Sequence, residues 1–524
     1  MKTSFKHMGI NINVQLDNCI IVYKDEYTFY FVGKKNILDI ESFINEEYNI
    51  FEIGWALIQI SSKEIKIVSD RLRTVPIFYK IINNSIEISD DCNKLVSSSD
   101  IVDGYSVFLY RSAGFVLAEE TLFKNIFQTE AGTIVNINIE GIYPEKFTKS
   151  YFNYGSSQFQ SLDTLSLLSE LKSVSNNIIK KLGHDFKNKK VLIPLSSGLD
   201  SRYVAFLIKK ANLKDVLCFT YGTNKFHEVK MAEIIAKKIG LDWIHVPYSS
   251  QSWKLLRNDK EFYDYLYYSG WIGSVAHIQD WPAIRWLLKN NYITSNTVVM
   301  PGHTGDFISG GHIPAQLVST NASISDLITY LYEKHFRVNK PNLSNKYNFD
   351  LLNYLNKLSN DGNKNEMPNY LPNFLENFDW KERQSKFIVN SVQVYNYFNL
   401  EWFLPLWSKD MIDFWVKVPV CLKFNKLLYK QHLKDIDENN IFWDIDDLRM
   451  QKNPRIKNYI LKPLKQKIYK IIFGLKKQFF DYFVDAMGWY TLFSYREVIK
   501  KKRFQNINSF IVDLVLRGKG INEN

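Results

Sequence analysis

Residues 191–210 constrain the fold of this chain most, because their hydrophobic pattern changes from that of a strand to that of a helix across one short loop. The run VLIPL predicts a buried strand that ends at Leu195, and RYVAFLIKK predicts a helix. The loop between them consists of Ser196, Ser197, Gly198, Leu199, Asp200 and Ser201. A tight strand–loop–helix connection points backbone N–H groups and the positive end of a helix dipole at one place. The segment therefore predicts a phosphate-binding loop.

The side chains of this loop suit the same ligand. Ser196 and Ser201 add hydroxyl donors, and small residues let a phosphate approach the backbone. Asp200 would be a poor direct partner for phosphate, but it is a natural ligand for Mg²⁺ beside one. The alternative is an ordinary strand–turn–helix with a polar turn.

Strands and helices continue to alternate on both sides of this loop. The run SLLSELKSVSNNIIKKL precedes it with helical spacing, and the runs after it alternate as strand, helix and strand: VLCFTYG, HEVKMAEIIAKKIGL and WIHVPYS. Such alternation predicts a doubly wound parallel sheet with helices on both faces. After about residue 320 the pattern is largely helical, so we expect helices added to this α/β domain.

The first 152 residues have a different pattern. Short runs with period-2 alternation are separated by Asn, Asp and Gly, as in YTFYFVG, EIKIVSD and TIVNINI. The polar stretch at 153–164 is typical of a linker. We therefore predict three parts: a β-rich domain at 1–152, an α/β domain at 165–450, and a basic helical extension at 451–524.

Charge and composition exclude several classes of protein. The net charge is +11, and nine basic residues without an acidic one lie between Lys452 and Lys477. The rest of the chain is near neutral, which argues against a nucleic-acid binder. No apolar run has the length of a membrane span, the start lacks the apolar core of a secretory signal, and the four cysteines are scattered. We therefore expect a cytoplasmic protein.

The phosphate loop resembles the S-G-G-x-D-S pyrophosphate loop of N-type ATP pyrophosphatases, and of asparagine synthetases in particular. The resemblance implies an adenine nucleotide alpha hydrolase-like fold, ATP as cosubstrate, and pyrophosphate held by residues 195–201. Ser197 stands where the family has Gly, and it would be strained if that position needs a positive φ.

A second segment, VVMPGHTGDFISGGH, resembles the asparagine synthetase sequence S-G-E-G-A-D-E-L-F-G-G-Y, with matches at Gly302, Asp306, Gly310 and Gly311. The resemblance implies that Gly302 contacts the nucleotide and that Asp306 joins Asp200 on Mg²⁺. His303 and Phe307 replace the two glutamates of that sequence. His303 either acts as a base near the reacting centre or fills a loop position, and both alternatives stay open.

Three further matches follow the order of the family. Glu228 matches an acidic residue that opens the helix after the second strand, although a helix dipole alone also favours an acid there. Glu401 and Pro405 match the E-x-R-x-P-F-L-D block. Lys430, in LLYKQHLKDI, matches a family lysine, which implies a cation that stabilises charge on the α-phosphate.

The first domain resembles class II glutaminase domains of the N-terminal nucleophile type. Asp70, Arg71, Pro76 and Tyr79 match the stretch D-R-x-G-x-x-P-L-Y-Y, and residues 114–135 match the end of that domain. Those domains use an N-terminal cysteine as nucleophile. Here Met1 precedes lysine, so we expect a degenerate domain without glutaminase activity.

Two segments allow alternatives. Residues 243–286 are crowded with aromatic residues that either stack on a ring-bearing substrate or form helix core; among them are Trp243, Trp253, Tyr263, Tyr265, Tyr267, Tyr268, Trp271, Trp281 and Trp286. Arg285 binds a substrate carboxylate or pairs with a surface acid. The basic extension has apolar residues at helical spacing between 464 and 479, so it docks on the domain or contacts a membrane surface.

The resemblance, which covers about residues 1–440, predicts an asparagine synthetase-like ligase that uses ATP and Mg²⁺. A carboxylate is activated as an acyl-adenylate and then attacked by ammonia or an amine. The acceptor is a small-molecule or glycan carboxylate, and the lost nucleophile favours substrates other than aspartate, as in polysaccharide biosynthesis. The alternative is a nucleotide-binding pseudoenzyme or assembly partner without turnover.

Overall fold

A computed structural model describes residues 1–7, 9–17, 19–33, 39–155, 163–224, 227–270, 273–338, 346–360, 370–437, 440–443, 482, 485–500 and 506–521. Within these ranges, strands form three sheets. The strands are β1 Lys2–His7, β2 Ile10–Gln15, β3 Cys19–Lys24, β4 Tyr27–Gly33, β5 Trp55–Ile60, β6 Glu64–Ser69, β7 Phe78–Ile82, β8 Ser85–Ser89, β9 Ile126–Gln128, β10 Thr133–Asn138, β11 Glu145–Ser150, β12 Lys190–Pro194, β13 Val216–Gly222, β14 Asp242–Pro247, β15 Thr297–Val299 and β16 Glu401–Trp402.

The helices follow the same chain order. The α-helices are α1 Ile40–Ile44, α2 Gly104–Ala113, α3 Thr164–Asp185, α4 Leu199–Lys210, α5 His227–Ile239, α6 Ser250–Leu255, α7 Lys260–Ser269, α8 Trp281–Lys289, α9 Gly305–Ile308, α10 Ile324–His335, α11 Lys346–Asn360, α12 Tyr370–Phe378, α13 Gln393–Tyr397, α14 Lys409–Lys417, α15 Val420–Lys423, α16 Leu427–Asp435, α17 Tyr495–Lys500 and α18 Ile507–Gly518. A π-helix spans Asp379–Ile388. Among the described residues, no helix combines the length and apolarity needed to cross a membrane.

The front domain is built from two sheets that pack face to face. One has the strand order β1-β2-β8-β7-β9, and the other has the order β11-β10-β6-β5-β4-β3. Alternate side chains of both sheets, such as Ile12, Ile58 and Ile88, are fully buried in a shared core. This burial follows from the period-2 pattern of the sequence. The β-rich front domain predicted from the sequence is therefore confirmed.

Several strands of this domain escaped sequence analysis. The strands β1 and β11 lie at the edges of their sheets, and the side chains of β11 are exposed along its whole length. An edge strand that buries few side chains needs no apolar alternation, so its pattern is weak. Outer layers complete the domain: α1 packs Phe43 on one sheet, and α2 packs Tyr110 between the other sheet and the second domain.

The second domain contains a parallel sheet with the order β14-β13-β12-β15-β16. The order reverses at β12, from which the chain first moves to β13 and later returns to β15. A ligand crevice forms at such a switch point, outside the carboxyl ends of the strands. The parallel sheet predicted from the alternating pattern is confirmed, and its switch point is the strand that carries the phosphate loop.

The π-helix joins the two domains through buried polar contacts. Trp380 donates its indole N–H to the carbonyl oxygen of Arg71 at 2.8 Å. The ammonium group of Lys386 donates to the Ala118 carbonyl at 2.7 Å and to Glu382 at 2.6 Å. Because Lys386 is fully buried and the carboxylate of Glu382 nearly so, their charges are held by each other and by the front domain.

The C-terminal residues that the structure describes pack on both domains. Trp253 donates to the carbonyl oxygen of Met487 at 2.8 Å, and Arg257 donates to that of Thr491 at 2.6 Å. Helix α18 packs against α2 in the main core. Docking therefore holds for residues 485–500 and 506–521, whereas the predicted apolar spacing at 464–479 lies outside the described residues. The three predicted domain boundaries stay predictions.

Candidate active site

The phosphate loop is held by its own hydroxyl groups. The backbone N–H of Ser196 donates to the Ser201 hydroxyl at 3.0 Å, and the N–H of Gly198 donates to the Ser196 hydroxyl at 3.1 Å. Helix α4 begins at Leu199, earlier than the hydrophobic pattern indicated, so Asp200 and Ser201 form its first turn. First-turn N–H groups have no partner inside a helix and remain suited to an anion.

Ser197 is held from both sides. Its N–H donates to the carboxylate of Glu228 at 2.8 Å, and its carbonyl accepts from the buried guanidinium of Arg202 at 3.2 Å. Ser197 does not adopt a positive φ. The strain that a serine would suffer in the left-handed region is therefore absent. Glu228 does lie in the first turn of α5, as the dipole interpretation requires, but it also orders the phosphate loop.

The second acidic segment lies against the first turn of α4. A Cβ atom at Gly302 would be 2.6 Å from the backbone nitrogen of Ser201, and one at Gly305 would overlap the carboxyl group of Asp200. Only glycine permits this approach. Thr304 precedes α9 with a φ of 75°, a strained conformation for a β-branched residue, and it turns the chain towards Asp306.

Lys426 is the cation at this junction, and sequence analysis missed it. Its ammonium group forms an ion pair with the carboxylate of Asp306. Asn425 and Lys426 both have left-handed backbones, with φ values of 56° and 59°, and this turn sets the start of α16. A Cβ at Gly311 would be 2.5 Å from the Lys426 side chain, so that glycine leaves room for it. The turn residue Asn425 was the available clue in the sequence.

Lys426 also influences the other carboxylate. Burial raises the pKa of Asp200, while the charge of Lys426 and a 3.2 Å hydrogen bond from the Tyr429 hydroxyl oppose that rise. Burial lowers the pKa of Lys426, and the nearby charge of Lys430 lowers it further. The two predicted metal ligands therefore share one cation in this structure.

Most of the predicted binding residues line one cavity of about 760 Å³. The predicted site residues that line it are Leu195, Ser196, Ser197, Gly198, Asp200, Ser201, Gly302, His303 and Asp306. Leu199 does not line the cavity. Lys430 is exposed one helical turn beyond Lys426 and is likewise absent from the cavity wall. Its catalytic role stays a prediction.

The cavity wall also carries a buried carboxylate, Asp280, that sequence analysis did not identify. Asp280 accepts hydrogen bonds from the hydroxyl groups of Tyr221 at 2.5 Å and Tyr395 at 2.8 Å. The Nε2 atom of His277 lies 3.8 Å from its carboxylate. Burial opposes ionisation of Asp280, but hydrogen bonding and charge from His277 outweigh it, and the pKa falls to about 2. Asp280 is therefore a carboxylate at neutral pH.

His303 lines the same cavity. Its Nδ1 atom is 3.3 Å from the Ser391 hydroxyl. Burial lowers the pKa of His303 to about 4, against the opposing charge of Asp280. The imidazole is therefore neutral at pH 7, which suits a hydrogen-bonding role better than the storage of a proton. Phe307, the other replaced glutamate, is buried against Trp407 and Tyr154 as part of the core.

The front domain has its own cavity of about 720 Å³, lined by residues of both domains. The matched glutaminase residue Asp70 is buried and accepts from the N–H groups of Gly54 at 2.8 Å and Leu72 at 2.8 Å, so it braces two loops. Arg73 occupies the position of the glycine in D-R-x-G with a φ of 53°, and it is buried there. Among the described residues, no cysteine lines this cavity.

The aromatic segment and Arg285 have structural partners. Trp253, Tyr265 and Trp281 are buried in the core, as the helix-core alternative requires. Arg285 pairs with Asp259 and with Glu261 at 2.8 Å. Trp271 lies outside the described residues. Surface pairing is therefore the alternative that the structure favours for Arg285.

Comparisons with known proteins agree with this site. The family model described as asparagine synthase matches residues 186–441. No curated protein matches the chain significantly. Among solved structures, the match to glutamine phosphoribosylpyrophosphate amidotransferase from B. subtilis, complexed with ADP and GMP, has 8% identity and a TM-score of 0.16. It covers 54% of this chain and 63% of that one, less than two thirds of its length, and we draw nothing about the site from it.

The matched residues 186–441 include the phosphate loop and the Asp306 segment, which line one cavity at the switch point of the sheet, and Lys426, which pairs with Asp306. Asparagine synthases form amide bonds with the use of ATP. Residues 186–441 of this chain therefore match the asparagine synthase family.

Proposed function

We propose that this protein is an ATP-dependent ligase that forms an amide from a carboxylate and an amine or ammonia. One observation carries the proposal: the phosphate loop with Asp200, the segment with Asp306 and the segment with Lys426 meet at the sheet's switch point. Phosphoryl and adenylyl transfer depend mainly on positioning and charge neutralisation, and this arrangement supplies both.

The first step is attack of the substrate carboxylate on the α-phosphorus of ATP, which forms an acyl-adenylate and releases pyrophosphate. The N–H groups at the start of α4 and the hydroxyl groups of Ser196 and Ser201 hold the pyrophosphate. Helix α16 supplies positive charge. Lys426 is the cation already beside the carboxylates, and Lys430, one turn further on, is the residue that the sequence indicated.

The donor set fits Mg²⁺. Magnesium binds through one or two carboxylates together with phosphate oxygens and water. Asp200 and Asp306 would be those carboxylates, and among the described residues no group of three or more His, Cys, Asp or Glu side chains could hold a metal ion. The ion, when bound, neutralises phosphate charge. Asp306 would hold the ion in place of Lys426, and that lysine would then be free to contact the phosphates.

In the second step the amine displaces AMP. Neutral His303 is placed to donate a hydrogen bond to the reacting carbonyl oxygen, because its imidazole lies on the cavity wall and does not charge at pH 7. The acceptor is a carboxylate other than aspartate, and a glycan carboxylate is the class we favour. His303 in place of a family glutamate supports a changed acceptor.

We further propose that the front domain has no glutaminase activity. Cys92 and Cys218 are buried, and burial raises the pKa of the Cys218 thiol to about 12. Burial also raises the pKa of Cys19, so its thiol is poorly ionised. Cys421 is exposed on α15, far along the chain from that domain. Nitrogen then comes from free ammonia or directly from an amine substrate.

A pseudoenzyme that binds nucleotide without turnover is the second candidate. Its support is the loss of both glutamates at His303 and Phe307. Ser197 does not support it, because the loop accommodates serine without a positive φ.

The deciding experiment is exchange of labelled pyrophosphate into ATP, with Mg²⁺, across a panel of amino acids, dicarboxylic acids and uronic acid glycans. A ligase catalyses exchange only when its carboxylate is present. Binding of MgATP by calorimetry without exchange for any carboxylate would support the pseudoenzyme instead.

A further inference from the structure

We propose that His277, beside the Asp280 carboxylate, accepts the proton that the ammonium form of the amine must lose before it attacks the acyl-adenylate. The inference rests on the proposed ligase function and assigns the second half-reaction to residues outside the family motifs. It also assigns the part of the cavity around His277 and Asp280 to the amine.

The geometry is that of a base held by a carboxylate. His277 and Asp280 are three residues apart on the segment before α8, and both line the cavity. Asp280 is fixed by Tyr221 of β13 and Tyr395 of α13, so its carboxylate cannot turn away from His277. The His277 side chain is 29% exposed, whereas Asp280 is 4% exposed. One nitrogen of the imidazole can therefore face the carboxylate while the ring remains open to a ligand.

The same residues favour a positively charged ligand. Among the described residues that line the cavity there is no lysine or arginine, while Asp280 carries a negative charge at neutral pH. An amine arrives mainly as its ammonium form, and a carboxylate on the wall of a partly enclosed cavity attracts that form. It then requires a base, because an ammonium nitrogen has no lone pair with which to attack.

His277 is better suited than His303 to this role. Desolvation of His303 disfavours its protonated form and lowers its pKa, and its Nδ1 atom already faces the Ser391 hydroxyl. His277 instead has a carboxylate 3.8 Å away that stabilises an imidazolium, which is the arrangement of a general base with an orienting acid. The other titratable groups near this pair are Tyr265, whose hydroxyl donates to the His277 carbonyl, Tyr221 and Tyr395, which bond Asp280, and His303. Burial raises the pKa of all three tyrosines and lowers that of His303, so these groups stay neutral at pH 7.

The chemical balance of the step is simple. The amine nitrogen forms a bond to the acyl carbon, and the bond from that carbon to the oxygen of AMP breaks. The ammonium form of the amine first loses one proton to His277, which releases it to water, and the attacking nitrogen loses its second proton to water as the amide forms. AMP leaves with the electron pair of the broken bond. No oxidant, reductant or further co-reactant is required.

The test separates the two half-reactions in full-length protein. The first assay is pyrophosphate exchange with the carboxylate that supports it in wild type. The second measures amide formation from ammonium chloride, glycine, lysine and glucosamine. The third uses hydroxylamine, a nucleophile that is uncharged at neutral pH and traps acyl-adenylates as hydroxamates without a base. The variants are His277→Gln and the isosteric Asp280→Asn.

The matched control is His184→Gln. His184 pairs with Asp185 at 2.8 Å, but its side chain is 86% exposed at the end of α3 and lies away from the cavity. His184 and Asp185 are thus a histidine–aspartate pair of the same residue types as His277 and Asp280, but they lie outside the cavity. We expect this variant to behave as wild type in all three assays.

We expect His277→Gln to lower amide formation by about 10²–10⁴-fold, the usual contribution of a general base. Hydroxamate formation and exchange should stay within a few-fold of wild type, which a structural defect could not achieve. Asp280→Asn should show the same split to a smaller degree. Amide formation at the wild-type rate in His277→Gln, or equal losses in all three assays, would overturn the proposal.

Failure of the ligase function itself has a different outcome. Wild-type protein that shows no exchange and no hydroxamate with any carboxylate lacks the first half-reaction, and both proposals fall together. Exchange and hydroxamate formation without an amide from any of the four amines would overturn the amine assignment alone.

Discussion

The synthetase cavity and the front-domain cavity have similar volumes, of about 760 and 720 Å³, but they use their motif residues in different ways. In the synthetase domain the motif residues line the cavity. In the front domain, Asp70 and Arg71 point into protein and hold loops or the neighbouring domain. The comparison shows that the matched residues of the front domain have structural roles, whereas those of the second domain line a cavity.

The physical basis of the difference is where the polar groups are satisfied. The carboxylate of Asp70 accepts hydrogen bonds from several backbone N–H groups and from a hydroxyl group. Its oxygens are therefore occupied by the protein and are not left for a ligand. Asp200 and Asp306 instead face a lysine whose ion pair a metal can replace. Buried polar groups that are fully paired within the protein stabilise it, whereas groups left for a ligand create a site.

The largest expected effect is loss of the synthetase reaction on removal of either carboxylate. Asp200→Asn and Asp306→Asn should each reduce pyrophosphate exchange to background, because one amide oxygen is a weak ligand for Mg²⁺. Calorimetry with MgATP should show weakened binding in both. Asp242→Asn, an exposed position on β14, is the control. Unchanged affinity and exchange in both variants would remove the metal site and, with it, the contrast between the cavities.

The next effect concerns the brace between the domains. Lys386→Met leaves the carboxylate of Glu382 buried without its cation, and breaking such a pair costs about 3–5 kcal/mol. Urea unfolding followed by tryptophan fluorescence should therefore shift to lower concentration. Lys181→Met, in the half-exposed pair with Asp185, should cost about 0–1 kcal/mol. Equal urea midpoints of unfolding for the two variants would show that the buried Lys386–Glu382 pair does not stabilise the contact between the domains.

A comparison of two lysines on α16 sharpens the synthetase side. Lys426→Met should lower the exchange rate by about 10²–10³-fold, the cost of one preorganised electrostatic contact. Lys430→Met, one turn further into solvent, should retain MgATP affinity and lose less. Rates are measured at saturating MgATP, and melting temperatures confirm that both variants fold. A larger loss in Lys430→Met would return the catalytic cation to the residue that the sequence indicated.

The smallest effect is expected on the front domain. Incubation with glutamine, with or without ATP, should release no glutamate above background, and Cys19→Ser should leave amide formation from ammonium unchanged. The reason is that the described cysteines are buried, poorly ionised or remote from its cavity. Glutamate release that a thiol-directed glutamine analogue blocks would show that both cavities are chemically active.

Features of the site that depend on neighbouring residues were accessible from the sequence. The phosphate loop was identified because its strand, loop and helix are contiguous, and local periodicity reports burial directly. Asp306 was identified because glycines surround it, and these glycines prove to be needed where the segment meets α4. The parallel sheet was predicted for the same reason, since alternation of strand and helix leaves few topologies.

Features that depend on distant residues required the tertiary structure. Lys426 reaches Asp306 only through two successive left-handed residues, which propensity does not predict. Asp280 has tyrosine partners from β13 and α13, far apart along the chain. The sequence by itself determined the local frame that binds phosphate, since a short loop and a helix start suffice for that. Only the tertiary structure decided which cation, which base and which buried carboxylate complete the site, because those contacts arise from packing between segments that no local pattern connects.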